Sequence, residues 1–214
     1  MKNTKQEIIN AAILLFNQSG FRNVTLSQIA LKIGISNGNL NYHFQKKDDL
    51  IRAIFYQMEK EINEVFNYFS GASSIKGILE QIIISYSSQL KYRFFFQDTL
   101  EIIRAYPKIA KVHHKEVLQY TKHIRRSLAA CVAQGIFRPE PFLGAYDYLA
   151  HSLWLHSAFW LNQLSLLQND SNKPEIFAHS IASLFYPHLT PKGLSELEAI
   201  NYLDFVKNIS PINF

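Results

Sequence analysis

Apolar residues recur along most of this chain at intervals of three and four, the spacing that lines one face of an α-helix. Ile8, Ala12, Leu15 and Phe16 mark a first helix over roughly Thr4 to Ser19, with Gly20 ending it and Phe21 folding back onto its core. Leu26, Ile29, Ala30 and Ile33 mark a second. Thr25 stands where its hydroxyl can accept the free amides of the first turn. Gly34 closes this helix, because glycine takes the left-handed conformation at little cost. Ile35 plugs the turn, and Ser36 caps a third helix over roughly Asn37 to His43. Two short helices joined by a glycine-containing turn of about three or four residues make a helix-turn-helix.

A long helix opens at Lys46 or Lys47 and runs to about Phe69, its stripe Leu50, Ile51, Ile54, Phe55, Met58, Ile62, Val65, Phe66 and Phe69. Its front belongs to the first core and its rear to whatever follows. Ser70-Gly71-Ala72-Ser73-Ser74 is the chain's only Gly/Ser cluster and the natural boundary. Helices are then predicted over Ile75–Lys91, Phe94–Ala105, Pro107–Gln134, Pro141–Gln168, Pro174–Phe185 and Pro191–Asn208, several with proline near the first turn, where it fits best. No strand-period alternation and no repeat occurs. The expected fold is all-α: an N-terminal three-helix helix-turn-helix domain over 1–46, a connecting helix over 47–70 and an all-helical domain over 71–214.

Composition changes this picture in three places. Only 8 Gly and 7 Pro among 214 residues, with 48% hydrophobic, describe a folded chain. Residues 1–60 hold eight basic side chains against four acidic, a net +4 of the total +5, so the charge that permits a polyanionic partner, without proving one, lies at this end. The single cysteine, Cys131, excludes an intramolecular disulfide and fits a cytoplasmic location, and the start of the chain lacks the apolar core of a signal peptide. Phe142 to Leu167 is the one stretch that could span a membrane. It carries Asp147, His151, His156, Asn162 and Gln163, and reads as a buried or interface helix.

The third helix carries the chemistry. Leu40 and Phe44, i and i+4, face inward, while Asn37, Gly38, Asn39, Asn41, Tyr42 and His43 offer small or hydrogen-bonding groups and no acid. An asparagine presents donor and acceptor together and pairs bidentately with an adenine edge in the major groove. Gly38 removes a side chain where the helix start approaches the sugar-phosphate surface, and Lys46 and Lys47 follow to meet flanking phosphates.

Ser36-Asn37-Gly38-Asn39-Leu40-Asn41-Tyr42-His43-Phe44 followed by Lys47-Asp48-Asp49-Leu50 closely resembles the recognition element of the TetR family of bacterial transcriptional regulators. Ile8-Ile9-Asn10-Ala11-Ala12, Leu15-Phe16, Gly20-Phe21, Thr25 and Ile29-Ala30 extend the resemblance over the first sixty or so residues. It implies DNA contacts by Thr25, Ser36, Asn37, Gly38, Asn39, Asn41, Tyr42, His43 and Lys47. Asn41 departs from the family's aromatic and Asn37 from its frequent lysine, which removes one charge from the interface. Tyr92-Arg93-Phe94-Phe95-Phe96-Gln97-Asp98, Glu101, Tyr106-Pro107, Gly135-Ile136-Phe137-Arg138 and Trp160 resemble a regulatory and dimerisation domain of some family members. That resemblance implies a homodimer formed through Tyr146 to Leu167 and Ile176 to Leu189, and a small-molecule effector of unknown identity.

Against each functional role stands a plainer one. Thr25 serves as a cap whether or not it meets a phosphate, and Tyr42 and His43 could pack on the small domain. Tyr92, Phe95, Phe96, Trp154 and Trp160 are candidates to line an effector pocket, while core packing alone accounts for aromatics of this kind. The eight histidines lack the i, i+4 pairing with a nearby acid of a helical zinc site, so no metal and no cofactor are expected. Cys131 continues the Val117, Tyr120, Ile124, Leu128 stripe as a small core residue. No G-x-S-x-G, phosphate-binding glycine loop or H-E-x-x-H occurs, so no enzyme is expected. The expected function is that of a ligand-responsive repressor binding double-stranded DNA at a palindromic operator as a dimer, away from any membrane. The alternative is a ligand-independent architectural or constitutive DNA-binding protein.

Overall fold

The computed structural model describes residues 4–69, 72–167 and 173–200. The described residues form eleven α-helices: α1 Thr4–Ser19, α2 Leu26–Ile33, α3 Asn37–His43, α4 Lys47–Tyr68, α5 Ile75–Lys91, α6 Arg93–Gln97, α7 Thr99–Ala105, α8 Pro107–Ala133, α9 Ala145–Leu166, α10 Pro174–Phe185 and α11 Pro191–Glu198. A 3₁₀ turn, Tyr186–His188, follows α10. There is no strand among them, only an isolated antiparallel bridge between Phe137 and Leu189. The fold is all-α.

Three helices differ clearly from their predicted extents. The segment Phe94–Ala105 is α6 and α7, broken at Asp98. There the Thr99 hydroxyl donates back to the Phe95 carbonyl at 2.7 Å, an alternative to regular helix bonding. The helix predicted from Pro141 starts at Ala145, after Gly144 turns the chain at φ 89°. The helix predicted over Pro191–Asn208 stops at Glu198, with Ala199 and Ile200 already out of the helix, and the one predicted to Gln168 stops at Leu166; the predicted ends at Gln168 and Asn208 themselves lie outside the described residues.

The chain packs as two compact units, each drawn from two stretches. The first takes in the described residues up to Lys60 together with Lys91–Val112. Its core is Ile8, Ala12, Phe16, Phe21, Ile29, Ala30, Leu40, Phe44, Leu50, Ile54 and Phe55, all buried. The later stretch joins this core through aromatic contacts. Phe94 meets Phe16 edge-on, 5.2 Å between ring centres, and Phe95 lies 5.4 Å from Phe55. Each such ring contributes about 1.5–3 kcal/mol by leaving water. Asn17, at the end of α1, holds the start of α6. Its Nδ2 donates to the Lys91 carbonyl at 2.9 Å, its Oδ1 accepts from the Phe94 amide at 2.9 Å, and its carbonyl accepts from Arg93 Nη2 at 3.0 Å. The amide of Phe94 is one of those that a helix start leaves unpaired. Asn17 therefore caps α6 from another helix.

The second unit takes in Glu61–Leu90 and the described residues from His113 onward. Val65 and Phe69 pack against Ile84. Phe66 stacks on Tyr120 at 4.6 Å, and Tyr86 stacks on Phe177 at 4.5 Å. Around the bridge, the Arg138 amide donates to the His188 carbonyl at 2.8 Å and the Thr190 amide to the Ile136 carbonyl at 3.0 Å. Here Gly193 comes so close that a Cβ would lie 2.4 Å from the Ile136 carbonyl oxygen. The helix α9 has two apolar faces. Tyr146, Leu149, Leu153, Trp160 and Leu164 are buried, whereas Tyr148, Leu155, Phe159 and Leu166 are exposed.

Candidate nucleic-acid interface

The corner between α2 and α3 is built by local rules. The Gln28 amide donates to Thr25 Oγ1 at 3.3 Å while the Thr25 amide donates to Gln28 Oε1 at 2.7 Å, a reciprocal capping box. At the other end Gly34 takes φ 71°, and the Ile35 amide donates to the Ala30 carbonyl at 3.0 Å and the Gly34 amide to the Leu31 carbonyl at 3.2 Å. These two bonds are the Schellman arrangement, which only a residue at ease in the left-handed region completes without strain. Ser36 Oγ then accepts from the Asn39 amide at 3.1 Å and starts α3.

Leu40 and Phe44 are buried and set the rotation of α3. The opposite face is thereby fixed outward: Asn37, Gly38, Asn39, Asn41 and Tyr42 are exposed, Tyr42 at 85%, and His43 is half-buried with its ring edge-on to Tyr42 at 5.2 Å. The side chains of Asn37, Asn39 and Asn41 make no hydrogen bond among the described residues, so their donors and acceptors stand unused in solvent. Thr25 and Ser36 are exposed as well, each with its hydroxyl engaged as a cap.

Lys47 is placed differently. Its Nζ lies over the rings of Phe16 and Phe21, 5.7 and 5.9 Å from their centres, and donates to the Arg22 carbonyl at 3.2 Å. Burial pushes its pKa down, against the raising effect of Asp48. The bond to that carbonyl uses one of the three donors of the ammonium and leaves the others for a phosphate. Arg22 itself is paired through Nε with Glu101 on α7. Asp48 and Asp49 occupy the first turn of α4, where carboxylates complement the helix dipole, and Asp49 Oδ2 accepts from the Lys46 amide at 3.2 Å.

The five aromatics proposed to line an effector site fall in two units. Tyr92, Phe95 and Phe96 belong to the first, where Gln57 Nε2 donates to the Tyr92 hydroxyl at 3.3 Å and Phe95 packs on Phe55. Trp154 and Trp160 belong to the second, Trp154 half-buried beside His151 and Trp160 buried against Phe177. None of the five lines the cleft of about 420 Å³ between α8 and α9, which is walled by Lys122, Arg125, Arg126, Asp147 and His151 among others. Cys131 is fully buried and its thiol pKa is pushed up to about 11, first by burial and then by Glu196. Among the described residues no group of three His, Cys, Asp or Glu is placed to hold a metal ion, and no helix is long and apolar enough to cross a membrane.

Two contributors escaped the sequence reading. Gln28 had a signal, since a glutamine three residues after a threonine cap is half of a capping box. Asn17 had none, because its partners lie more than seventy positions further along the chain.

Comparison with known proteins agrees with this geometry. Residues 8–54 match the family described as bacterial regulatory proteins, tetR family, and residues 57–197 match the one described as TetR: bacterial transcriptional repressor. The biofilm operon icaADBC HTH-type negative transcriptional regulator IcaR of Staphylococcus epidermidis is 30% identical over 105 residues, 49% of this chain and 50% of that protein. The chain thus spans about half the length of the curated relatives it matches. A TetR-family transcriptional regulator of Marinobacter aquaeolei has a crystal structure that superposes with a TM-score of 0.80 at 25% identity, covering 99% of this chain and 100% of that one. A gamma-butyrolactone receptor (ArpA-like protein) shares the fold at 18% identity, TM-score 0.68, over 97% of this chain and 96% of that one.

Proposed function

Because this chain belongs to the TetR family of bacterial transcription regulators, we propose that it is a ligand-responsive repressor that binds a pseudo-palindromic operator as a homodimer in the cytoplasm. It is a transcription regulator and not an enzyme. The observation that carries the proposal is the outward face of α3, where three asparagines present unused donor and acceptor pairs beside Gly38 and Tyr42. Thr25, Ser36, Tyr42, His43 and Lys47 serve the phosphates, and Asn37, Asn39 and Asn41 read base edges past Gly38. One recognition helix of seven residues buries too little surface to specify a site alone. Two of them related by a twofold axis reach successive major grooves about 34–36 Å apart.

The exposed apolar face of α9, Tyr148, Leu155, Phe159 and Leu166, supports self-association, with Ile176 of α10 adding to it. Negative regulation is supported by the name of the Staphylococcus epidermidis relative. In functional terms residues 1–46 read DNA, 47–70 connect and 71–214 bind effector and partner subunit. An effector shifts the protein between two spacings of α3 only through its differential affinity for them. Coupling runs through the contact of α4 with α6, where Phe55 meets Phe95. Spin labels at position 39 of each subunit report that spacing, and a compound that weakens DNA binding without changing it would sink this route.

The deciding experiment is selection of bound duplexes from a random pool by the purified protein at about physiological salt. Recovery of a twofold-symmetric motif is the expected result. A single half-site, or no motif from a folded dimer, would remove the dimeric-repressor reading.

A further inference from the structure

Two hydrogen-bond donors in the second unit have nothing to donate to. The Tyr86 hydroxyl on α5 and the Trp160 Nε1 on α9 are buried atoms without a hydrogen-bond partner among the described residues, on side chains exposed by 0% and 6%. They are neighbours. Both rings pack on Phe177, Tyr86 stacked at 4.5 Å and Trp160 edge-on at 5.5 Å. Burial pushes the Tyr86 pKa up, and a hydrogen-bonding approach of the Trp160 indole N–H to the phenol oxygen pulls it back, so the two groups face each other, but the approach falls short of a full hydrogen bond and leaves both donors unsatisfied. His156 lies 5.4 Å from the Trp160 ring, its Nε2 is 2.8 Å from Ser180 Oγ, and burial lowers its pKa, which favours the neutral imidazole.

A buried donor left unpaired is destabilising, and native proteins keep few of them without a reason. Two of them on different helices, both rings packed on Phe177, have the donor count to serve one oxygen atom with two lone pairs. The charge of its owner follows from the surroundings. The buried polar side chains of this unit, among the described residues, are Gln81, Gln89 and Ser127, all uncharged. The titratable group beside the pair is His156, which burial holds toward the neutral imidazole, so it offers no ready counter-charge to a carboxylate or ammonium; burying an unpaired charge is far more costly than burying an amide or ester.

We propose that the Tyr86 hydroxyl and the Trp160 indole N–H together seat one acceptor oxygen, carbonyl or ether, of an uncharged, ring-bearing effector. This rests on the ligand-responsive reading above and adds the chemistry of the ligand to it. Trp160 becomes a donor to the effector as well as a wall, and Tyr86 joins the site.

The test uses the full-length protein and three probes of one shape: methyl benzoate, which is neutral with acceptor oxygens; benzoate, which is charged; and ethylbenzene, which has no acceptor. Binding is followed by tryptophan fluorescence and melting temperature, and DNA affinity is measured separately. Methyl benzoate is expected to bind roughly tenfold more tightly than either control, the worth of a hydrogen bond that satisfies a buried group. Tyr86→Phe removes that preference and, without any probe, melts at or above the wild-type temperature, because it deletes a partnerless hydroxyl. Trp160→Phe, which removes the other donor, reduces the preference as well. Benzoate binding as tightly as the ester, no binding by any probe, or a preference that survives Tyr86→Phe overturns the proposal. A lower melting temperature for Tyr86→Phe also overturns it, since the hydroxyl would then be satisfied within the protein. Ester binding that leaves DNA affinity unchanged upholds the seat and removes the regulatory reading. Release of DNA by another compound, independent of Tyr86, upholds the regulatory reading and removes the seat.

Discussion

Asn37, Asn39 and Asn41 are exposed on a helix of seven residues and their side chains bond to no described neighbour, so folding does not explain those side chains. That separates function from stability at single positions. Asn39→Ala is expected to leave the melting temperature unchanged and to weaken binding to the selected operator by about 1–3 kcal/mol, the range for a lost bidentate base contact. Fluorescence anisotropy with a labelled duplex measures it, and an unchanged affinity would remove Asn39 from base reading. Lys47 is the opposite case. Its ammonium is engaged with the Arg22 carbonyl and lies over two phenylalanine rings, so its removal disturbs packing and any phosphate contact together. Its substitution alone cannot separate the two.

At the scale of an element, two glycines test different physics. Gly34 needs the left-handed region, φ 71°, but has open space where a Cβ would go. Gly193 has no positive φ, and its Cβ would meet the Ile136 carbonyl oxygen at 2.4 Å. Gly34→Ala is expected to cost about 1–2 kcal/mol through backbone strain. Gly193→Ala is expected to cost about 1–3 kcal/mol through overpacking, falling at the upper end because the obstacle is backbone. Urea denaturation ranks the two, and a milder Gly193→Ala would mean that the bridge segment yields. The same contrast explains what could be read from the chain beforehand. Thr25, Gly34 and Ser36 act within four residues of themselves, and their caps and the turn were legible. The apolar spacing that buries Leu40 also fixed which face of α3 points outward. The break at Asp98 depends on Thr99 bonding back to Phe95, which competes with helix bonding on nearly equal terms. The inward turn of Lys47 and the role of Asn17 depend on chain that arrives from far away, and periodicity carries no record of that. In α9, Phe159 is exposed and Trp160 buried. Helical spacing separates them, but which one faces the core is decided by Phe177 on another helix.

The whole molecule has a predictable response to acid. Burial lowers the pKa of His123, His156 and His188 below the ordinary 6.5, with Arg126 adding to the effect at His123 and Arg138 at His188. The unfolded chain therefore binds more protons than the folded one once pH falls through about 6.5, and stability drops as pH drops. Melting temperature is expected to fall between pH of about 7.5 and about 5.5, and a flat profile would show these imidazoles titrating alike in both states. Association is the other property of the whole. Phe159→Glu places a charge on the exposed apolar face of α9, so sedimentation should show a monomer and operator binding should be lost at moderate protein concentration. A dimer that persists would put the subunit interface elsewhere.

Asn17 and the two phenylalanine pairs, Phe16 with Phe94 and Phe55 with Phe95, bear on how such a regulator could be rewired. A DNA-reading head is often pictured as a cassette that can be cut at a linker and spliced to another sensor. Here the head is completed by Lys91–Val112, which lie beyond the Gly/Ser cluster where a cut would naturally fall. A chimaera joined there would leave Asn17 with no amide to cap and Phe16 and Phe55 facing foreign side chains. Swapping specificity between relatives therefore means exchanging two stretches of chain at once, or grafting only the outward face of α3 onto a head kept whole.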